Sequence, residues 1–399
     1  MTERTLTSSL EPRAGQSATA HSLADSPADL PADLPADLPA DPPADLPADS
    51  LAQARALIKD LFEARAGRYW TDFLLSLAIA YGAVALYLSR PPFSPVFIAS
   101  FVVAAFALFR CGVFMHELVH LPARRLRVFR AAWNVLFGIP ALTPSFMYKC
   151  HADHHNPRHF GTSRDGEYLP LGAGPVRRIL FYLIVIPVLP ALALFRFLVM
   201  TPVSLLHPRL RRAVLERASS YVINPTYRRT LPAEERHWIW VALEVAIFLE
   251  LAALLGLLLV GKLPWTVVIE LYVLAVAASG LNWLRTLAAH GYRNTGAPMT
   301  FRQQIEDSVG IAGHPLLTEL LFPVGLRYHS LHHWFPALPY HSLGAAHRRL
   351  MRGLPQDSPY RGTLHKSYAH AVRELWRNAR GARSARRERA ETGKARWLS

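Results

Sequence analysis

Long apolar blocks govern what this chain can become. Tyr69 to Ser89, Val96 to about His120, His237 to Val260 and Trp265 to about Arg285 are each nearly free of charge over the length a helix needs to cross a hydrocarbon layer. Pro91, Pro92 and Pro95 force a tight turn after the first block, and a loop whose one charge is Lys262 joins the last two. The pattern predicts an all-α integral membrane protein built from two transmembrane helical hairpins, four spans in all, with Tyr69 and Trp70 as interfacial anchors.

Eight histidines recur in three short boxes: His116-Glu-Leu-Val-His120, His151-Ala-Asp-His154-His155 and His329-Ser-Leu-His332-His333. Residues three and four apart share a helix face, so each box aims two or three imidazoles at one point. Structural histidines at helix ends would account for one such box; three of the same kind point to a metal site. Imidazole serves zinc, copper, iron and nickel alike, and eight ligands exceed what one ion takes, so two ions are expected. Cys111 and Cys150 are the only thiols. They offer neither a disulfide framework nor a Cys-x-x-Cys centre, and the place of Cys150 beside His151 reads as incidental.

A shared site constrains the topology. Ile179 to Leu206 is apolar but interrupted by Pro187, Pro190, Arg196 and Pro202, and it is too short to cross twice. One crossing would put the second and third boxes on opposite faces, so this stretch is expected to lie in the interface or re-enter. Ala131 to Met147, with Pro140 and Pro144, is expected to be interfacial or partly inserted. Arg110, inside the second span, needs a partner in the protein interior, for which Glu244 and Glu250 are the candidates.

The formal charge is +15, yet the first 50 residues hold nine acidic and two basic side chains, leaving +22 on the rest. These cations flank apolar runs, which favours anionic lipid headgroups over nucleic acid as the partner. Arg124, Arg125, Arg127 and Arg130 mark the cytoplasmic side, so a helical cap carrying the boxes, and both termini, are expected there. A multi-pass protein of a bacterial inner membrane is the expected location. Residues 1–50, with their Pro-Ala-Asp-Leu repeats, read as a disordered tail that is not a signal peptide. Residues 51–355 form the membrane body, entered through an amphipathic helix from Ala52 to Arg68, and 356–399 a basic tail for membrane-surface docking.

A hairpin ending in His-x3-His, then His-x-x-His-His, a second hairpin and another His-x-x-His-His resembles the membrane fatty acid desaturase family, which also holds carotenoid and lipid hydroxylases. The segments His332 to Pro336, Pro339 to His341 and Asn282 to His290 are similar to those of bacterial acyl-lipid desaturases. The resemblance implies a non-haem centre of two iron ions that uses dioxygen to desaturate a fatty acyl chain. It implies His116, His120, His151, His154, His155, His329, His332 and His333 as ligands, His290 as a ninth, and Asn282 as a group reaching the metal through water. Glu117, Asp153 and Asp165 are candidates to orient the rings; His159, His314, His341 and His347 lie near the boxes in sequence. A site beneath the membrane surface reached by an apolar tunnel suits such an oxidant. No haem, flavin or nicotinamide motif is present, so electrons are expected from a separate ferredoxin-like or cytochrome-like carrier docking on the basic face.

Three alternatives stand beside that expectation. Within the family, hydroxylation differs from desaturation only in the fate of the radical after the first hydrogen is lost. His116-Glu117-Leu-Val-His120 is also a literal zinc metalloprotease motif with Glu117 as general base, although one zinc ion would leave two boxes without a purpose. A metal carrier would distribute acidic or thiol ligands along its spans rather than gather histidines at one face.

Overall fold

The computed structural model describes residues 48–120, 126–231 and 238–395, with side chains from 51 to 382 within those segments. The Pro-Ala-Asp-Leu repeats before residue 48, Arg124, Arg125, His237 and the side chains of the arginine-rich end lie outside them. The described chain is mostly helical, with little sheet.

The first hairpin pairs the helices Ala66–Ser89 and Pro95–His120. The first stops before Pro91 and Pro92, which cannot continue a helix interior. Tyr69, Phe73 and Phe114 pack edge to face against Phe129 of the short helix Arg127–Trp133 at 5.5–6.2 Å between centroids. Tyr69 is therefore not an interfacial anchor: it is fully buried, and its hydroxyl donates to Glu117 at 2.7 Å. The amphipathic helix ends at Ile58, short of Arg68, where a 3-10 turn at Lys59–Leu61 replaces it; Ala54 and Ile58 bury its apolar face against Leu343, Ala346 and Leu350 of the helix Tyr340–Gly353. Arg68 lies in the first turn of the first long helix instead.

Arg110 is neutralised across the hairpin, not by Glu244 or Glu250. Its Nη2 meets both carboxylate oxygens of Asp72 at 2.7 Å, its Nε donates to Ser76 at 3.1 Å, and Glu319 lies 3.7 Å away. Asp72 stands at the same depth on the neighbouring helix, whereas Glu244, fully buried, is held by Arg196 and Arg211.

Among the described residues, five stretches are long and apolar enough to cross a membrane: the four expected blocks and Arg177–Leu205. The fifth differs in being broken. It runs as the helix Arg177–Ile184, a 3-10 turn at Ile186–Val188, the helix Leu189–Phe195, a π turn at Arg196–Met200 and the helix Thr201–Leu205. The prolines and the buried Arg196 sit at those joints, where the regular hydrogen-bond ladder is interrupted. It packs against both the helices Trp238–Leu259 and Trp265–Thr286. Residues 131–147 likewise lie beside the first hairpin: Trp133 Nε1 donates to the Cys111 carbonyl at 2.9 Å, and the Tyr81 hydroxyl to that of Leu136.

Beyond residue 355, where a tail was expected, the chain folds back onto the body. The strand Leu364–His365 pairs in parallel with Gly310–Ile311, and Ala371, Leu375 and Ala379 of the helix Tyr368–Ala395 are buried. Amphipathic spacing, masked in the sequence by the density of arginine, supplies that apolar stripe.

Candidate metal centre

Each box is positioned by local helix geometry. His116 and His120 occupy the last turns of Pro95–His120; His151, His154 and His155 make up the one-turn helix His151–His155; and His329, His332 and His333 face inward from His329–Trp334. His290 follows the helix Trp265–Thr286 and is held by an antiparallel bridge to Ser308, with Val309 N–H donating to the Ala289 carbonyl at 2.8 Å.

All nine histidines come together, divided between two groups. His116, His120, His151, His155 and His332 form one; His154, His290, His329 and His333 form the other. The second box contributes to both, since His154 points to one group while its neighbours at 151 and 155 point to the other. The groups abut, with the rings of His155 and His333 stacked at 4.4 Å.

The nitrogens fit two shared cations better than they fit hydrogen bonding. His290 Nε2 lies 3.1 Å from Nε2 of His154 and 3.0 Å from that of His329, which is itself 3.1 Å from Nε2 of His333. In the other group His155 Nε2 lies 3.0 Å from Nε2 of both His151 and His332. A ring nitrogen carries at most one proton, so such a chain cannot be satisfied by hydrogen bonds alone. Two imidazoles about 2.1 Å from one ion and at right angles have nitrogens about 3.0 Å apart, which is the spacing found. Both ring nitrogens of His116 and Nε2 of His120 are buried without a hydrogen-bond partner, as orphaned ligand atoms would be.

Carboxylates stand behind the rings. Asp165, fully buried, takes Nδ1 of His154 at 2.9 Å and also accepts the backbone N–H of Gly161 and Glu167. Glu167 takes Nδ1 of His151 at 2.7 Å and accepts the Tyr148 hydroxyl at 2.9 Å, while the Tyr148 ring stacks on His151. Such contacts leave Nε2 free toward an ion and fix the ring plane. Burial pushes Glu167 up to about 7, with His154 pulling the other way. Burial would also lower His154, but the charge of Asp165 overrides it and raises that imidazole. For His151, His155, His329, His332 and His333, burial and then the neighbouring rings hold the imidazoles well below their ordinary value, which keeps them neutral and able to ligate.

Of the acids singled out from sequence, Asp165 alone faces a box ring through a short hydrogen bond. Glu117 instead accepts the Tyr69 hydroxyl and the Tyr340 N–H at 3.1 Å, and Asp153 pairs with His159 at 2.9 Å. With its Oε2 so occupied, Glu117 is not poised as the general base of a zinc protease. His341 accepts the Arg65 N–H, His347 contacts the Tyr360 hydroxyl, and His314 is exposed at the start of the helix Pro315–Leu321. Asn282 Oδ1 accepts from Arg285 at 3.1 Å. Glu167 was missed in the sequence; its signal was the Asp165-Gly-Glu167 spacing that follows the second box. Asp307, 3.9 Å from Nδ1 of His290, carried no comparable signal.

The model of the family "Fatty acid desaturase" matches residues 91–364, well over half of the chain. This chain belongs to the fatty acid desaturase family. A ceramide hydroxylase from Caulobacter vibrioides (strain NA1000 / CB15N) is 36% identical over 329 residues, covering 82% of this chain and 93% of that protein. Membership in the desaturase family makes the chain an oxidoreductase of the lipid desaturase and hydroxylase type, with histidine groups suited to the metals that family uses.

Proposed function

We propose that this desaturase-family protein hydroxylates the hydrocarbon chain of a ceramide-type lipid, inserting one atom of dioxygen into a C–H bond while the other leaves as water. The observation that carries this reading is the similarity to the ceramide hydroxylase along nearly that protein's whole length. Desaturation of a fatty acyl chain, the expectation from the motifs, is the second reading, favoured by the family match.

The metals in this proposal are two iron ions, one held by His116, His120, His151, His155 and His332 and the other by His154, His290, His329 and His333, with Asn282 as an outer group. When bound, the pair supplies the oxidising power of dioxygen for an unactivated alkyl C–H bond. Asp165 and Glu167 hold the Nδ1 protons of His154 and His151, so those rings present Nε2 inward and cannot rotate. Glu117 ties the end of the first-box helix to the chain after the third box through Tyr340, keeping boxes from distant parts of the sequence in register. The largely buried rings exclude bulk water from the reacting groups. Electrons come from a separate carrier docking on the basic cytoplasmic face.

The topology we propose has four spans, with the boxes on the cytoplasmic side of a bacterial inner membrane and Arg177–Leu205 re-entrant. Its contacts support a path that enters and returns. Tyr182 exchanges hydrogen bonds with Trp283, then the Pro187 carbonyl accepts the Tyr272 hydroxyl, and then Arg196 meets Glu244. From Trp283 to Tyr272 is roughly 16 Å along a helix at 1.5 Å per residue, whereas Glu244 stands only about 9 Å inside the start of its own helix.

The test is product analysis. Iron-loaded enzyme with reductant, given ceramide and acyl lipid separately, is expected to yield a ceramide product heavier by one oxygen atom. Loss of two hydrogens instead replaces the first reading with the second; neither product from fully loaded enzyme overturns both.

A further inference from the structure

Two imidazoles and a carboxylate meet where the strand Leu364–His365 faces the C-terminal helix, apart from the nine box histidines. His365 closes the strand Leu364–His365, and His370 and Glu374, four residues apart on Tyr368–Ala395, share one helix face. One ligand atom from each lies within 4.8 Å of the others. Nδ1 of His365 is 3.1 Å from Nδ1 of His370 and 3.7 Å from Oε2 of Glu374.

A hydrogen-bonded triad does not account for this geometry, because the carboxylate stands beyond hydrogen-bonding reach of His365. Ligands about 2.0–2.1 Å from a tetrahedral ion are roughly 3.3 Å apart, and the observed 3.1 and 3.7 Å straddle that edge. The frame is rigid: Ala312 N–H donates to the His365 carbonyl at 2.9 Å, the Ser367 hydroxyl accepts the His370 N–H at 3.2 Å, and Ala371 and Leu375 are buried beneath. His370 is exposed, so an ion reaches the group from solvent. A cavity of about 160 Å³ adjoins it, lined also by Arg293, Glu306 and the back of His290, with room for water to complete a coordination shell. The charge of Arg293 opposes a cation there, and the carboxylates of Glu306 and Glu374 offset it.

We propose that His365, His370 and Glu374 form a third metal site, taking one zinc-class divalent ion with water as the remaining ligand. The ion ties the C-terminal helix to the strand pair that continues from the His290–Ser308 bridge. This site is independent of what the box histidines bind and of which lipid is oxidised.

The experiment is equilibrium dialysis of purified, iron-loaded full-length protein against zinc, with both metals counted. Wild type is expected to hold one zinc more than His370→Ala, at equal iron. Glu374→Gln should lose that zinc, and His370→Cys should recover it, since a thiolate is a zinc ligand. Equal zinc in wild type and His370→Ala, or zinc gained only as iron is lost, overturns the proposal. Preparations that never take up iron yet keep the zinc difference would sink the two-iron centre and leave this site standing.

Discussion

His154 Nε2 lies 3.1 Å from His290 Nε2, although the two residues are 136 positions apart. Between them run the broken apolar stretch and both helices of the second apolar pair. In the proposed four-span topology those two helices cross once each, and the contact then requires the broken stretch to end on the side where it began.

That relationship makes Arg217 diagnostic, because it lies between the broken stretch and Trp238–Leu259. A membrane-impermeant thiol reagent should label Arg217→Cys in inverted vesicles and leave it unlabelled in intact cells. The opposite pattern would remove the four-span topology.

Removing a ring from one group should be felt mainly there. His329→Ala is expected to lower bound iron to about half and abolish turnover, because its four-histidine group falls to three ligands while the five-histidine group keeps all of its own. Metal analysis at matched protein concentration checks this; full iron retention with normal turnover would argue against the assigned ligand.

Asp165→Asn should act through His154 without touching metal. An outer partner of this kind is worth about 10–100-fold in metal affinity or activity. Iron-binding titration reads it, with circular dichroism confirming the fold, and an unchanged affinity would reduce Asp165 to a loop cap for Gly161 and Glu167.

Glu117 separates an oxidase from a protease. Glu117→Gln should keep its iron while losing roughly 1.5–3 kcal/mol of stability, the scale of a hydrogen bond to a charged group, because its Oε2 serves Tyr69 and Tyr340. Iron content and thermal unfolding in detergent are the measurements. Iron lost at unchanged unfolding temperature would contradict the positioning role.

Glu244→Leu should be among the most damaging changes in the apolar region. It would strand Arg196, which is buried, and Arg211 without their shared anion, at a cost of about 3–5 kcal/mol for a broken buried pair. A fall in unfolding temperature for Glu244→Leu, largely reversed in the triple change with Arg196→Met and Arg211→Met, is expected; no fall at all would show that the network contributes nothing.

What could be read from the amino acids was local. Helical spacing turns His116 with His120, and His329 with His332 and His333, toward common points, and apolar length marks the long helices, because both depend on neighbours within a few turns. The division of the second box between two groups, the carboxylate of Glu167 behind His151, the pairing of Arg110 with Asp72 instead of Glu244, and the folding back of the chain beyond residue 355 were decided only in three dimensions. Each depends on which side chains packing brings to the same depth and the same few ångströms, and residues distant in sequence carry no periodic signal of where they meet.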